Sequence, residues 1–118
     1  MGFGFEKLDV YKDAIEFANE IYNVTKRFPR DEMFGITNQV RRAATSVSQN
    51  VAEGSGRTKK DFAHFLDMAR TSPYECIPLL KISTIQSYIN AEEYSRLYEK
   101  CNALAKRLNA LKGSIREP

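Results

Sequence analysis

Apolar residues recur along most of this chain at alternating steps of three and four, the spacing that places them on one face of an α-helix. The first such segment covers 8–28 and ends at Phe28-Pro29, because a proline pushes the residue before it out of the helical region. The second covers 33–53 and is stopped by Gly54-Ser55-Gly56, and the last covers 91–115. The apolar positions of these three predicted helices are Val10, Ala14, Phe17, Ile21, Val24 and Phe28; Ile36, Val40, Ala43, Val47 and Val51; and Tyr94, Leu97, Cys101, Leu104, Leu108, Leu111 and Ile115.

The remaining segment, over 58–89, is amphipathic but contains Pro73 and Pro78. A proline in a helix interior costs roughly 3 kcal/mol, so this segment is either one kinked helix or two helices that meet near 71–73. We predict one kinked helix, because the apolar pattern resumes in the same phase, and Thr58 followed by Asp61 is a candidate N-cap. The face expected to be buried comprises Phe62, Phe65, Leu66, Ala69, Leu79, Leu80, Ile82, Ile85 and Ile89.

Four helices with short connections predict an all-α protein, an antiparallel up-down-up-down four-helix bundle with a single domain over 1–118. No stretch alternates apolar and polar residues for long enough to form a strand. Hydrophobic residues make up 42% of the chain and charged residues 28%, a balance that argues against intrinsic disorder.

The ends of the chain and its cysteines bear on its location. Residues 1–6 lack the basic and apolar regions of a signal peptide, and no apolar run approaches the length that spans a membrane. Cys76 and Cys101 lie within apolar helical patterns, as small buried hydrophobes do in a reducing compartment. We therefore expect a cytoplasmic protein with no membrane partner.

The chain offers few residues for catalysis or metal binding. Its one histidine, His64, and its two separated cysteines do not have the spacing of a zinc or di-iron site. Gly54-Ser55-Gly56 lacks the Gly-Lys-Ser/Thr ending of a phosphate-binding loop, and no nucleophile motif accompanies His64. We expect no cofactor, no metal, no small-molecule substrate and no enzymatic activity.

A polar stripe runs along the second helix, beside its apolar stripe. Small hydroxyl and amide groups predominate in it, whereas free helix surfaces usually carry mixed lysine and glutamate. It is either a solvated face or a hydrogen-bonding network where this helix meets another helix or subunit. Ser72 and Glu75 on the third helix are candidate partners for Arg42 or Asn50. The stripe comprises Gln39, Arg42, Ser46, Asn50 and Glu53.

Basic residues form the other candidate surface. The net charge is only +3, from 18 Lys+Arg against 15 Asp+Glu, which is less than a dedicated nucleic-acid binder usually carries. The clusters are either phosphate contacts for RNA or DNA or ordinary solubilising surface. They comprise Arg41 beside Arg42; Arg57, Lys59 and Lys60 at the turn into the third helix; and Arg96, Lys100 and Arg107 on one flank of the fourth.

Several blocks of the sequence resemble a known family, the four-helix bundle proteins encoded by intervening sequences in bacterial 23S rRNA genes. The most distinctive block is Ser46-Val47 with Asn50 to Gly54. This chain departs from the family's Gly-Ser-Leu-x-Glu segment, because it has Thr71-Ser72-Pro73-Tyr74-Glu75, followed by Pro78. The other blocks are Phe5 to Lys12, Phe28-Pro29, Gly35 to Ala44, Phe62, Phe65-Leu66 and Ala69.

The resemblance implies a homopentamer without enzymatic activity, and it favours an assembly role for the polar stripe. A similar bundle serves diversity-generating retroelements as an accessory protein that binds nucleic acid and the reverse transcriptase. The two prolines can bend the third helix and change a subunit contact that it makes. Two hypotheses follow: an oligomeric bundle that associates with nucleic acid, or a protein-interaction or scaffold module that does not.

Overall fold

The computed structural model describes residues 2–115, and these fold into four α-helices with no strand among them. The helices are α1 (Asp9–Thr25), α2 (Ile36–Ser55), α3 (Lys59–Ile85) and α4 (Ala91–Ile115), and short 3-10 helices cover Gly4–Lys7 and Arg30–Glu32. Each helix packs on the next in sequence, and α1 also contacts α4. The predicted all-α four-helix bundle is confirmed. Residue 1 and residues 116–118, which the predicted domain includes, lie outside the described residues.

The apolar stripes of α1, α2 and α4 form the core as predicted. All six stripe residues of the first segment and all five of the second are buried, and so are four of the seven on α4. Full burial of a large aliphatic or aromatic side chain contributes about 1.5–3 kcal/mol to stability. None of the helices within residues 2–115 is both long enough and apolar enough to cross a membrane.

Helix α3 is continuous through both prolines, which confirms one helix in place of two. The bend expected at these prolines stays a prediction. Its buried face was predicted wrongly in one respect, because Ile82 and Ile85 are exposed, by 48% and 68%. Polar Ser83 occupies the core in their place, and its hydroxyl donates a hydrogen bond to the Leu79 carbonyl at 2.8 Å. The buried positions of α3 are Leu66, Ala69, Ser72, Pro73, Cys76, Leu80 and Ser83.

A turn ends α3 four residues before its predicted end. Ser87 adopts the left-handed conformation, with φ of 64°. The Tyr88 amide donates to the Ser83 carbonyl at 2.8 Å, and the Ser87 amide donates to the Thr84 carbonyl at 3.0 Å. These two bonds satisfy the last carbonyls of a helix in the manner of a Schellman motif. Ile89 is buried, but it follows this turn and does not continue the helical stripe.

Gly54 lies inside α2, where the sequence predicted only a helix stop; the helix ends at Ser55, with Gly56 as its C-cap. A Cβ atom added to Gly54 would lie 2.6 Å from the Cβ of Phe65, closer than two such atoms approach in proteins. The missing side chain therefore allows α2 and α3 to pack closely. Thr58 caps α3 as predicted, because its hydroxyl accepts a hydrogen bond from the Asp61 amide at 3.2 Å.

Candidate interaction surface

A groove of about 940 Å³ runs between α2 and α3 on the outside of the bundle. Four of the five residues predicted as a polar stripe on α2 line it, together with their two candidate partners on α3. Glu53 does not line the groove, and its carboxylate pairs with Arg57 at 3.1 Å. The six are Gln39, Arg42, Ser46, Asn50, Ser72 and Glu75.

Each hydrogen bond among the groove residues stays within one helix, α2 or α3. Asn50 Nδ2 donates to the Ser46 carbonyl at 2.9 Å and to the Ser46 hydroxyl at 3.0 Å. In the described part of the chain, neither Ser72 nor Glu75 forms a hydrogen bond or ion pair with Arg42 or Asn50. The pairing considered from the sequence is therefore not formed within one copy, and the two walls of the groove stay open to a partner.

Two opposite charges flank this groove. Arg42 lies on the α2 wall and Glu75 on the α3 wall, and both are exposed. Neither forms an ion pair with a residue in 2–115. The other side chains that line the groove are uncharged.

The polar groove continues into an apolar row. Glu75, Pro78, Ile82 and Ile85 follow one another along α3 at steps of three, four and three, so they share a face, and all four are exposed. Phe34, which precedes α2, is 96% exposed. It lies at the same end of the bundle, because the Tyr88 hydroxyl just beyond α3 donates to Glu32 at 2.8 Å. We call the six groove residues together with Phe34, Ile82 and Ile85 the α2/α3 surface.

Sequence reasoning missed the apolar half of this surface. It grouped Ile82 and Ile85 with Leu80, although they lie on a different side of a helix that advances 100° per residue. Their three-four spacing from Glu75 and Pro78 was the available signal, and it places them beside the polar groove.

The basic flank of α4 is occupied by carboxylates of α1. Arg96 pairs with Glu20 at 3.3 Å, and Lys100 pairs with Glu20 as well as with another α1 glutamate. Arg107 pairs with Asp13 at 3.0 Å. As the residue numbers of these basic side chains rise along α4, the residue numbers of their α1 partners fall. These two helices therefore run in opposite directions. A phosphate group would have to compete with these carboxylates, which lowers the support for this flank as a nucleic-acid contact.

Two further arginines of the basic clusters also contact other side chains of this chain. Arg41 lies over the ring of Tyr22, 4.6 Å from its centre, and donates to the Thr25 hydroxyl at 2.8 Å. Arg57, besides its pair with Glu53, lies 4.9 Å from the centre of the Phe65 ring. Lys59 and Lys60 are exposed at the start of α3.

The two cysteines are free and buried, as predicted. A hydrogen bond with the Cys101 thiol, together with burial, raises the pKa of Cys76. The reactive form of cysteine is the thiolate, so this thiol has the character of a core residue and not of a nucleophile.

Comparison with known proteins places this bundle in a family. Residues 6–110 match the family described as 23S rRNA-intervening sequence protein. The chain is also similar to a crystal structure of a protein of unknown function from the S23 ribosomal protein family of Bacteroides thetaiotaomicron. The two superpose with a TM-score of 0.80 at 25% identity, over 87% of this chain and 97% of that one. No protein with a curated description matches the chain. The chain thus belongs to the 23S rRNA-intervening sequence protein family.

Proposed function

We propose that this protein is a non-enzymatic, cytoplasmic bundle that assembles into a homo-oligomer through the α2/α3 surface. The observation that supports this function is the exposed apolar row of Ile82 and Ile85, with Phe34 at the same end of the bundle. Single exposed apolar residues are common on soluble proteins, but apolar residues that share one exposed helix face beside a polar groove are typical of a protein–protein interface. The free cysteines are in keeping with a reducing compartment.

The adjoining polar groove fits the same role. Interface cores are depleted in charge, and their rims carry polar groups that form direct or water-mediated hydrogen bonds. Gln39, Ser46 and Asn50 supply amide and hydroxyl groups of this kind beside the apolar row. A pentamer, the assembly that the resemblance implies, needs a head-to-tail contact between two different patches. The α2 wall and the α3 wall are two such patches.

The mass of the native protein tests this proposal. We expect sedimentation equilibrium and native mass spectrometry to give a multiple of the 13.5 kDa chain mass at micromolar concentration. The double variant Ile82→Lys/Ile85→Lys should shift the protein to the monomer, since two charges would replace the apolar row. Ile15 on α1 is 46% exposed, similar to Ile82, so Ile15→Lys is the matched control and should leave assembly unchanged. A wild-type protein that is monomeric at every concentration would refute the proposal.

Association with RNA or DNA is the second proposal, and the turn between α2 and α3 is the region that favours it. Arg57, Lys59 and Lys60 are all exposed there, and the chain carries a net charge of +3. The ion pairs of the α4 flank weigh against a larger contact. A protein that neutralises phosphates releases counterions, so its binding must weaken steeply with salt.

Fluorescence anisotropy with a labelled structured RNA tests this second function. We expect binding at low salt that falls steeply towards physiological salt and is reduced by Arg57→Ala/Lys60→Ala. Lys106→Ala, a change at an exposed lysine on α4, is the control. Absence of binding at low salt would refute association with nucleic acid and leave protein interaction as the one proposed function.

A further inference from the structure

We propose that Arg42 of one copy forms an ion pair with Glu75 of a second copy, and that this pair determines which walls of the α2/α3 surface meet. The inference rests on the proposed function, because it names the contact through which the copies assemble. It assigns an ion-pair partner to two side chains that form no ion pair within the described residues of one chain.

The first argument is the contrast with two other carboxylates of the same helices. Glu53 on α2 pairs with Arg57, and Asp67 on α3 accepts from Lys112 with both carboxylate oxygens at 2.8 Å. Arg42 and Glu75 border one groove, yet they do not pair with each other or with another residue in 2–115. Two opposite charges beside an apolar row are therefore left for a partner to neutralise.

The second argument is charge complementarity. The groove carries one positive group on its α2 wall and one negative group on its α3 wall, and its remaining lining is neutral. When the α2 wall of one copy meets the α3 wall of another, Arg42 meets Glu75 and each charge is neutralised. A second copy of this chain therefore fits the surface, whereas a nucleic acid would place phosphates against Glu75.

The third argument is that such a pair sets specificity. Like charges brought together at an interface are strongly unfavourable, whereas a matched pair fixes the register of the contact. The apolar row supplies area to bury, but it does not distinguish one orientation from another. Arg42 and Glu75 distinguish the α2 wall from the α3 wall by sign.

Charge reversal tests the pair in the full-length protein. Arg42→Glu places two glutamates at the contact, and Glu75→Arg places two arginines there. We expect each variant to raise the apparent dissociation constant of the assembly roughly tenfold or more, measured by sedimentation equilibrium. The helix content of each variant should match the wild type. The thermal unfolding profiles should also match when both proteins are measured at a concentration at which they are monomeric. Lys106→Glu, a reversal at an exposed α4 position, is the control for net charge and should assemble normally.

Mixing the two variants separates a pair between copies from a pair within one copy. In the mixture, the glutamate introduced by Arg42→Glu in one chain can meet the arginine introduced by Glu75→Arg in the other. Each contact between unlike chains is then matched, so hetero-dimers or longer alternating assemblies should form although neither variant assembles alone. A ring of five cannot alternate throughout, so closure of a mixed pentamer is not expected. If each variant dissociates and the mixture forms no hetero-assembly, Arg42 and Glu75 do not meet each other between copies and the inference is wrong.

The remaining outcomes show whether the ion pair or the proposed function is wrong. If both single variants assemble like the wild type while Ile82→Lys/Ile85→Lys dissociates, the pair is refuted and the proposed function stands. A monomeric wild type would instead refute the proposed function, and the pair with it.

Discussion

The side of the bundle formed by α1 and α4 differs sharply from the side formed by α2 and α3. Between α1 and α4, basic residues of α4 meet carboxylates of α1 at three levels, at Arg96, Lys100 and Arg107. Arg27 just beyond α1 also pairs with Glu93. The charges on this side are largely satisfied within the chain. Exposed pairs of this kind contribute only about 0–1 kcal/mol each, but they leave little unbalanced charge for a partner.

On the α2/α3 side, the groove charges are unpaired and apolar residues face solvent. Arg42 and Glu75 have no ion-pair partner among the described residues, and Ile82 and Ile85 are exposed. The difference shows that a count of basic residues says little about function here. What matters is which charges the fold has already neutralised, and this directs attention away from the basic flank of α4 and towards α2 and α3.

The largest expected effect separates the inner and outer faces of α3. Leu80 is fully buried, so Leu80→Ala should reduce the free energy of unfolding by about 2–5 kcal/mol. Ile82 lies two residues away on the exposed face, so Ile82→Ala should change that free energy by about 0.5 kcal/mol or less. Urea unfolding, at protein concentrations low enough to dissociate assemblies, measures both. A similar loss in the two variants would contradict the outward orientation of Ile82.

The second prediction concerns the spacing of α2 and α3. Gly54→Ala should destabilise the fold by about 1–3 kcal/mol, because the new methyl group would overlap Phe65. Helix propensity alone predicts the opposite, a gain of about 1 kcal/mol. Gly113→Ala on α4 is the matched control, since nothing lies within 4 Å of its added Cβ, and it should be neutral or stabilising. Thermal unfolding of the two variants distinguishes a packing effect from a propensity effect.

The third prediction tests the apolar end of the α2/α3 surface. Phe34→Ala should weaken assembly by roughly tenfold, about 1.4 kcal/mol, while the helix content stays unchanged. Phe3 is 73% exposed outside this surface, so Phe3→Ala should assemble as the wild type does. Sedimentation equilibrium gives both constants. Equal effects from the two phenylalanines would mean that exposure alone, and not position, governs association.

The smallest expected effect is on the α1/α4 side. The hydrogen bond from Lys100 to Glu16 raises the pKa of Lys100 above its ordinary value of 10.5. A raised pKa in the folded state means that the charged lysine stabilises the fold below pH 10.5, and that this contribution disappears as the pH rises through the raised pKa. Lys100→Met should therefore cost up to about 1 kcal/mol at pH 7 and nothing well above pH 10.5.

Urea unfolding at the two pH values checks this prediction. Lys106→Met, at an exposed position on the same helix, should show no such pH-dependent difference. A Lys100→Met penalty that persists at alkaline pH would show that its hydrocarbon chain, and not its charge, stabilises the contact between α1 and α4.

Local sequence determined most of the fold. Helical periodicity correctly identified the stripes of α1, α2 and α4, because an amphipathic helix has to bury its apolar face. The sequence likewise identified the Thr58 cap and the residues that share the α2 face, since both depend on neighbours within a few positions along the chain. The buried cysteines followed from the same periodicity.

Tertiary structure decided which surface is open. The partners of Arg96, Lys100 and Arg107 lie on α1, more than 70 residues away in sequence, and no local pattern reveals them. Ser72 and Ser83 take core positions that polarity would assign to solvent, which leaves Ile82 and Ile85 outside. A buried hydroxyl is tolerated where it bonds a carbonyl one turn earlier, as Ser83 does. Periodicity determines the faces of each helix, but only the packing of all four determines which face is covered.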